Sequence, residues 1–245
     1  ELEINKLDDG LTKPKTDDIE YWLNIGLDKF VKTRYSGVNS KGESFEQSQK
    51  RIDDLHTLVT NKTYYTDLEA NIYDMVYPFL YGNEISVESS LQEDCYSYKL
   101  PTDYLNALGE TVYITSTNIA WPVIDLTPVV KRTNVLEATV DNLNRKLSNS
   151  LSEHRLHANY ARPIRLFSND AILLYTDRNY TISKYTLTYL RLPKRIDIHT
   201  NPFDEYNDMP IHTHIEIIKL AVHAYLENQT NQRYNSYSNE VSTME

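Results

Sequence analysis

Cysteine is almost absent from the 245-residue sequence, and Cys95 is its single cysteine. A single thiol excludes an intramolecular disulfide and a cysteine-rich zinc site, and it is typical of a chain made in a reducing compartment. A chain of this length can bury enough apolar surface to fold without either. We therefore expect Cys95 to pack as a small hydrophobic side chain.

Glycine is also scarce, because the sequence has six and all of them lie at or before Gly109. Neither G-x-G-x-x-G nor G-x-x-x-x-G-K-[ST] occurs, so the sequence offers no phosphate-binding loop of the known kinds. The nucleophile elbow G-x-S-x-G is missing as well. The sequence does not exclude a Ser-His-Asp triad whose residues lie far apart in the chain, but no pattern favours one.

Long hydrophobic runs and excess positive charge are missing too. No apolar run approaches the roughly 18 residues that span a bilayer, and no signal-peptide pattern opens the chain, so we expect a soluble protein. It begins with Glu1 rather than Met, which suggests a trimmed or processed chain.

With 25 Lys and Arg against 35 Asp and Glu, the formal charge of −10 predicts loose or repulsive contact with DNA.

Tyrosine is abundant, with 20 residues against five Phe and two Trp. Tyrosine combines a large contact area with a polar group and is enriched at interfaces. One interpretation is therefore a protein with contact-rich surfaces. The codon bias of an AT-rich genome explains the same count equally well.

The hydrophobic pattern predicts an α+β fold in which a helical core, formed by an N-terminal helical hairpin plus a C-terminal helix, carries an inserted antiparallel β region. The predicted segments are an N-terminal arm (1–16), the helical hairpin (17–63), a mostly β region with one helix near 133–147 (64–200), the C-terminal helix (201–228) and a polar tail (229–245).

The hairpin prediction rests on two capping signals. Asp17 with Glu20 resembles a capping box and opens a helix that ends near Tyr35, with Ile19, Leu23, Leu27, Phe30 and Val31 on one face. Ser44 with Gln47 is a second box, and it opens a helix predicted to reach about Asn61.

The β region shows alternation and turn signals. "CYSYKL" and "TVYITS" alternate between apolar and polar residues, whereas the two prolines of "WPVIDLTPVV" favour an edge or a loop. Leu136, Val140, Leu143 and Leu147 predict the single helix. The segment from 163 to 193 predicts three strands, with turns at 168–170 and 177–179.

The C-terminal helix is predicted to follow Asp208-Met209-Pro210, an acceptor side chain before a first-turn proline. We expect one apolar stripe to pack inward, while the histidines and Glu216 face solvent or a neighbour. The stripe comprises Ile211, Ile215, Ile218, Val222 and Tyr225.

Two histidine clusters could hold a metal. His212 and His214 are two positions apart, which places them on opposite sides of a helix rather than around one ion. His154 and His157 have helical i, i+3 spacing but no obvious third ligand. We expect no metal site at either place.

Three stretches in order, "LPTDYLNALGETVYI" (100–114), "RPIRLFSNDAILLYTD" (162–177) and "YTLTYLRLPKRIDI" (185–198), precede the histidine-rich helix. This order resembles the ring or adaptor proteins that connect portal to tail in tailed bacteriophages, most closely those of crAss-like and related short-tailed phages. The resemblance spans about residues 17 to 235.

The resemblance implies a virion protein, made in the host bacterial cytoplasm, that assembles in twelve copies as a ring without enzymatic activity, cofactor or membrane. Its partners would be itself, the portal protein and tail or further ring proteins, with DNA passing through the axis without specific binding. Pro101 and Asp103 would fix a turn, and Arg191 and Pro193 would end the sheet. The candidate portal contact is the tail, with Asn228, Gln232, Arg233, Tyr234 and Tyr237.

Other functions remain open at this stage. The runner-up is another ring of the neck or tail, such as a stopper or a tail-tube ring. A metal-dependent hydrolase using the histidines and carboxylates is an alternative of a different class. A third is a carbohydrate- or protein-binding module whose tyrosine-rich β region forms the site.

Overall fold

A computed structural model describes residues 15–36, 49–66, 71–74, 94–116, 129–157, 160–177, 179–200, 205–228 and 238. The predicted arm through residue 14, the Ser44–Gln47 box, most of "WPVIDLTPVV" and the polar tail after Asn228, apart from residue 238, lie outside these residues. Within them the fold is mixed α+β. The chain divides into two compact units, Glu1–Val59 with Leu192–Glu245, and Thr60–Arg191.

The described part of the chain contains four α-helices and nine strands. The helices are α1 (Thr16–Tyr35), α2 (Gln49–Leu55), α3 (Val140–Ser148) and α4 (His214–Asn228), with 3-10 turns at His56–Leu58 and Ile211–Thr213. The strands are β1 (Val59–Tyr65), β2 (Asn71–Asp74), β3 (Asp94–Lys99), β4 (Tyr104–Ser116), β5 (Val129–Thr133), β6 (Leu136–Glu137), β7 (Ile164–Ser168), β8 (Ala171–Thr176) and β9 (Tyr180–Arg191).

Helix α1 occupies nearly the predicted range, but its N-terminal cap differs. The Lys15 amide donates to the Asp18 carboxylate over 3.2 Å, so the box predicted from Asp17 and Glu20 is wrong. Glu20 instead accepts the backbone amide of Ile198 at 3.1 Å. The carboxylate therefore joins the helix to a segment nearly 180 residues later, which no local pattern could reveal.

The second helix is shorter than predicted. Helix α2 ends at Leu55, and a 3-10 turn leads directly into strand β1 at Val59 rather than into more helix. The run Thr63-Tyr64-Tyr65 is rich in β-formers, and Thr63 lies 3.3 Å from Thr186 of β9 between hydroxyl oxygens. Pairing with a strand therefore overrides the helical spacing up to Asn61.

The unit from Thr60 to Arg191, which we call the β unit, holds two sheets. One has four strands in the order β1-β9-β4-β5, and the other has five in the order β2-β3-β8-β7-β6. The strands predicted at 95–100, at 111–116 and across 163–193 are confirmed to within a few residues, with Asn169 left-handed (φ 49°) in the turn between β7 and β8. The β6–β7 pair is parallel, so the prediction of an antiparallel β region holds only in part.

The helix expected near 133–147 begins later, at Val140. Leu136 belongs to β6, and its amide donates to the Pro163 carbonyl over 2.8 Å. The Thr139 amide donates to the Asn142 side chain over 2.9 Å and caps the helix. Because Leu136 pairs with a strand and Thr139 caps the helix, the helix lacks the first turn that the leucine spacing predicts.

Tyrosine forms much of the core of the β unit. The rings of Tyr64, Tyr98 and Tyr185 lie 5.3, 5.4 and 5.7 Å apart between centroids, and all three side chains are buried. The Tyr64 hydroxyl donates to the Lys99 carbonyl at 2.7 Å, and the Tyr98 hydroxyl lies 2.9 Å from that of Thr66. Many tyrosines thus serve the interior rather than the surface, and the hydroxyls of Tyr64 and Tyr98 are hydrogen-bonded there.

Cys95 is buried on β3 as expected. Among the described residues, no helix combines the length and apolar character that crossing a membrane requires.

Candidate functional site

The last helix, α4, lies antiparallel to α1. The rings of Trp22 and Tyr225 are 6.1 Å apart between centroids near one end of the pair. Near the other end, the Arg34 guanidinium forms an ion pair with Glu216. The segment leading to α4 is also fixed, since the Asp208 carboxylate accepts the Lys194 amide at 2.7 Å. Asp208 is therefore not the helix cap that the sequence suggested.

Gly26 sets how closely the two helices approach. A Cβ atom at this position would lie 2.6 Å from the Ile217 carbonyl oxygen and 2.8 Å from the Ala221 amide nitrogen. Both are backbone atoms, which cannot rotate out of the way as the end of a flexible side chain can. The helices therefore meet through small residues, with their backbones nearly in contact.

A cluster of charged residues closes the other end of the helix pair. Arg34 Nε lies 2.9 Å from Asp54 Oδ2, and His212 Nε2 lies 3.0 Å from Asp54 Oδ1. Lys50 Nζ is 3.5 Å from Glu216 Oε1, and the other carboxylate oxygen of Glu216 forms an ion pair with Arg34. We call these five residues the charge cluster: it joins α1, α2 and the start of the last helix.

The centre of the charge cluster is removed from water, whereas Lys50 and His212 at its edge are exposed. Arg34 and Asp54 are 3% and 1% exposed, and the Arg34 guanidinium also lies 5.0 Å from the centroid of the Phe30 ring. Charges in such a place are tolerated only when they are paired. The cluster therefore fixes the position of the last helix against the other two.

The predicted apolar stripe of the last helix is only half buried. Val222 and Tyr225 are buried, but Ile211, Ile215 and Ile218 are 82%, 63% and 39% exposed. The expectation that the stripe packs inward along its whole length is wrong. Helix α1 approaches on the side of Ile217 and Ala221, because Gly26 allows close contact there. We call the exposed residues Ile211, Ile215 and Ile218 the isoleucine face.

The polar residues beside this stripe do not converge on a ligand. His212 contacts Asp54, and His214 Nε2 lies 3.2 Å from the Met209 carbonyl oxygen. Burial lowers the pKa of His223, and Lys29 lowers it further. Glu216 faces Arg34 rather than solvent or a neighbour, which corrects the expectation for that residue.

The second histidine pair is also separated. His154 is fully buried, and its carbonyl accepts the Tyr180 hydroxyl at 2.9 Å. His157 is exposed, and its backbone pairs with Tyr160. Across the described segments, no three His, Cys, Asp or Glu side chains are grouped so that they could hold a metal ion.

The turn residues singled out in the sequence lie in the β unit and at its end. The Tyr104 amide donates to the Pro101 carbonyl over 3.2 Å, and Asp103 accepts the Tyr189 hydroxyl at 2.9 Å. Burial, assisted by this carboxylate, raises the pKa of Tyr189 to about 12. Strand β9 ends at Arg191, and Pro193 is buried two residues later.

The candidate tail contacts begin at the end of α4. Asn228 is exposed as the last residue of α4. The other four, Gln232, Arg233, Tyr234 and Tyr237, lie outside the described residues, so the tail remains a prediction.

Sequence reasoning missed the residues that anchor the last helix. Arg34 continues the apolar spacing of Leu27 and Val31 on α1, and a charged residue at such a position was a signal of a buried ion pair. Asp54 gave no comparable signal, because adjacent acids on a helix surface are usually solvated. Gly26 stood in mid-helix, where a glycine without a turn suggests a close contact.

The comparisons with known proteins give no family. No protein-family model matches the chain, and none of the curated proteins matches it significantly.

Proposed function

We propose that the chain is a virion structural protein that forms an oligomeric adaptor ring between portal and tail, with DNA passing through the axial channel. In this proposal a helical core carries an inserted β region with a mixed sheet, and the protein acts by shape rather than by catalysis. The observation that carries the proposal is the isoleucine face on a firmly anchored helix.

The isoleucine face has the properties of a subunit contact. Ile211 and Ile215 are among the most exposed large apolar side chains of the described chain. Fully burying such a side chain contributes about 1.5 to 3 kcal/mol. Large apolar side chains that are exposed together at helical spacing are typical of an interaction site in a soluble protein.

The charge cluster makes this face rigid. Arg34, Asp54 and Glu216 hold the first turns of α4 within the fold, so the isoleucines are presented in one arrangement. A rigid face loses little conformational entropy when a partner binds. When it meets a different surface on the next copy, such a head-to-tail contact closes into a ring if the rotation permits.

The charge of the chain suits passage of DNA. A net charge of −10 per copy, repeated around a ring, disfavours tight binding of phosphates. The proposed partners are other copies of the chain, the portal protein and tail or further ring proteins. Its place would be the virion neck, after synthesis in the bacterial cytoplasm.

Native mass spectrometry and electron microscopy of the purified full chain, alone and with the portal protein of the same genome, test this proposal. We expect a cyclic multimer with an axial hole. An Ile215→Asp variant should shift the population towards monomer, whereas the matched Leu151→Asp variant, which changes an exposed leucine elsewhere, should not. A monomer under all of these conditions would refute the proposal.

The position of the ring in a particle map separates the adaptor from the runner-up. An adaptor contacts the portal, whereas a stopper or tail-tube ring lies further along the tail. The isoleucine face is compatible with each of these rings.

A further inference from the structure

The four-stranded sheet is basic although the chain is acidic. Its strands β1, β4, β5 and β9 contain one acidic residue, Glu110. They contain five basic residues, which are Lys62, Lys131, Arg132, Lys184 and Arg191. The local charge of this sheet is therefore opposite to that of the whole protein.

Two basic residues and two tyrosines form a row across the outer face of this sheet. Tyr113 of β4 pairs with Lys184 of β9 on one side and with Arg132 of β5 on the other. Lys184 Nζ lies 5.2 Å from the centroid of the Tyr113 ring and 5.7 Å from that of Tyr65. The ammonium group is thus held between two aromatic rings at the surface.

Hydroxyl groups make up the adjoining row. Thr63 and Thr186 lie side by side, with 3.3 Å between their hydroxyl oxygens. Tyr65 is 51% exposed and Arg132 is exposed. We call this surface the hydroxyl face, and it comprises Thr63, Tyr65, Tyr113, Arg132, Lys184 and Thr186.

The only acidic side chain of these strands points away from the hydroxyl face. Glu110 lies two positions before Val112 on β4, and Val112 and its cross-strand partner Tyr185 are both buried in the core. The Glu110 carboxylate lies 3.0 Å from Arg165 Nε and is itself buried. No carboxylate from β1, β4, β5 or β9 therefore opposes an anion on the outer side.

We infer that the hydroxyl face binds the phosphate backbone of nucleic acid without reading its sequence. Lysine, arginine, threonine and tyrosine are side chains that contact phosphates in protein–DNA complexes. Strand spacing places Lys184 and Arg132 about 10 Å apart, and the four strands span about 14 Å. The face therefore offers two cations and several hydroxyl donors to one stretch of backbone.

The net charge of the chain does not prevent such a contact. Exposed charges separated by more than about 10 Å are largely screened at about 0.1 M salt, so the nearby cations dominate at the face. Stacking of a sugar ring is less compatible with this surface, because Lys184 already occupies both tyrosine rings. The inference rests on the proposed function only in naming the nucleic acid as the DNA that passes through the ring.

Fluorescence anisotropy of the full chain with a short labelled DNA duplex tests the inference. We expect weak binding that is the same for unrelated sequences. If two phosphates are neutralised, the slope of log affinity against log salt is about −1.8, which is a loss of about twelvefold between about 50 and 200 mM salt. The double variant Lys184→Glu/Arg132→Glu should lose at least about tenfold in affinity at the lower salt.

A matched double variant, Lys32→Glu/Arg145→Glu, changes the net charge equally at exposed positions of α1 and α3. We expect its affinity to fall by less than about threefold. Equal losses in both variants, or no binding by the original chain, would overturn the inference. Displacement of the duplex by polyglutamate at equal charge would overturn it too, because the face would then suit an acidic protein.

The two proposals fail in different ways. Mass measurement decides whether a ring forms, and the binding assay decides whether the hydroxyl face contacts DNA. A ring whose subunits do not bind DNA would leave the proposed function intact and remove this inference.

Discussion

Asp54 is the most deeply buried member of the charge cluster. Its two carboxylate oxygens contact Arg34 and His212, and its side chain is almost fully removed from water. Asp53, the preceding residue, is exposed and accepts a hydrogen bond from Gln49 of the same helix at 2.9 Å. The two neighbouring aspartates therefore have opposite roles.

We expect Asp54→Asn to lower the free energy of unfolding by about 3 kcal/mol, since removing one member of a buried ion pair leaves its partner uncompensated. Urea unfolding followed by circular dichroism measures this loss. The neighbouring Asp53→Asn variant is the control and should change stability by less than about 1 kcal/mol. Equal effects of the two variants would show that the charge cluster does not anchor the helix.

Cys95 should be unreactive in the folded protein. Burial raises the pKa of its thiol from the ordinary value of 9.0 to about 12, and a hydrogen bond with Tyr175 opposes this only in part. Because the thiolate is the reactive form, three units of pKa reduce its fraction about 1,000-fold at about pH 8. A chromogenic thiol reagent should therefore label Cys95 only after denaturation.

The same measurement has a clear contrary result. Stoichiometric labelling of the native chain within minutes, with the circular dichroism unchanged, would show that β3 is open to solvent. Since raising the pH towards 12 increases the thiolate fraction, any residual native labelling should become faster as the pH rises.

At the scale of elements, the contact between α1 and α4 depends on the absence of a side chain at Gly26. The backbone of the last helix fills the space where a Cβ would stand. The separation of the two helices follows from this position, whereas the ion pairs nearby fix their register. A larger residue must move one helix against the other.

We expect Gly26→Ala to destabilise the protein by about 1 to 3 kcal/mol, as overpacking of a tight contact does. Alanine's higher helix propensity offsets at most about 1 kcal/mol of this. Gly109→Ala is the control, because a Cβ atom at Gly109 would lie 3.9 Å from Thr188 Cβ, an ordinary contact distance. If thermal unfolding showed Gly26→Ala to be as stable as the original chain, α1 and α4 would not be in close contact at this position.

At the scale of the whole molecule, the chain has two compact units, one of which is built from both ends of the sequence. The unit from Thr60 to Arg191 contains all members of the two hydrophobic clusters around Tyr185 and Leu143. About 130 residues suffice for an independent core. This unit, which includes α3, therefore has what it needs to fold without α1, α2 and α4.

We predict that residues 60 to 191, expressed alone, fold cooperatively. Circular dichroism should show mainly β structure, and urea should unfold the fragment in one transition whose slope is smaller than that of the full chain. An insoluble fragment, or one that loses its signal gradually, would contradict the prediction. The full chain measured in the same buffer serves as the reference.

Local signals in the sequence predicted much of the fold. The end of α1 at Tyr35, the strand at 94–99 and the three strands after residue 162 follow from capping, alternation and turn residues. The errors lie where distant segments compete with local preference. The segment from Val59 forms a strand, and Leu136 pairs with a strand nearly 30 residues away.

The site was less predictable than the fold. Periodicity identified the apolar positions of the last helix correctly, but it could not say which of them α1 would cover. Ile211 and Ile215 are exposed because Gly26 and Ala221 draw the helices together on another side. The basic character of the four-stranded sheet was equally hidden, since its strands are dispersed between residues 59 and 191.

The sequence by itself determined the acidic charge, the lone thiol, the lack of phosphate-binding loops, and the strands and helices with strong local signals. These depend on composition and on neighbours within a few residues. Only the tertiary structure decided that Arg34 meets Asp54 and Glu216, that three isoleucines remain exposed, and that Lys184 and Arg132 share one face. Such contacts join residues far apart in the chain, and their energies depend on burial and distance that no local pattern contains.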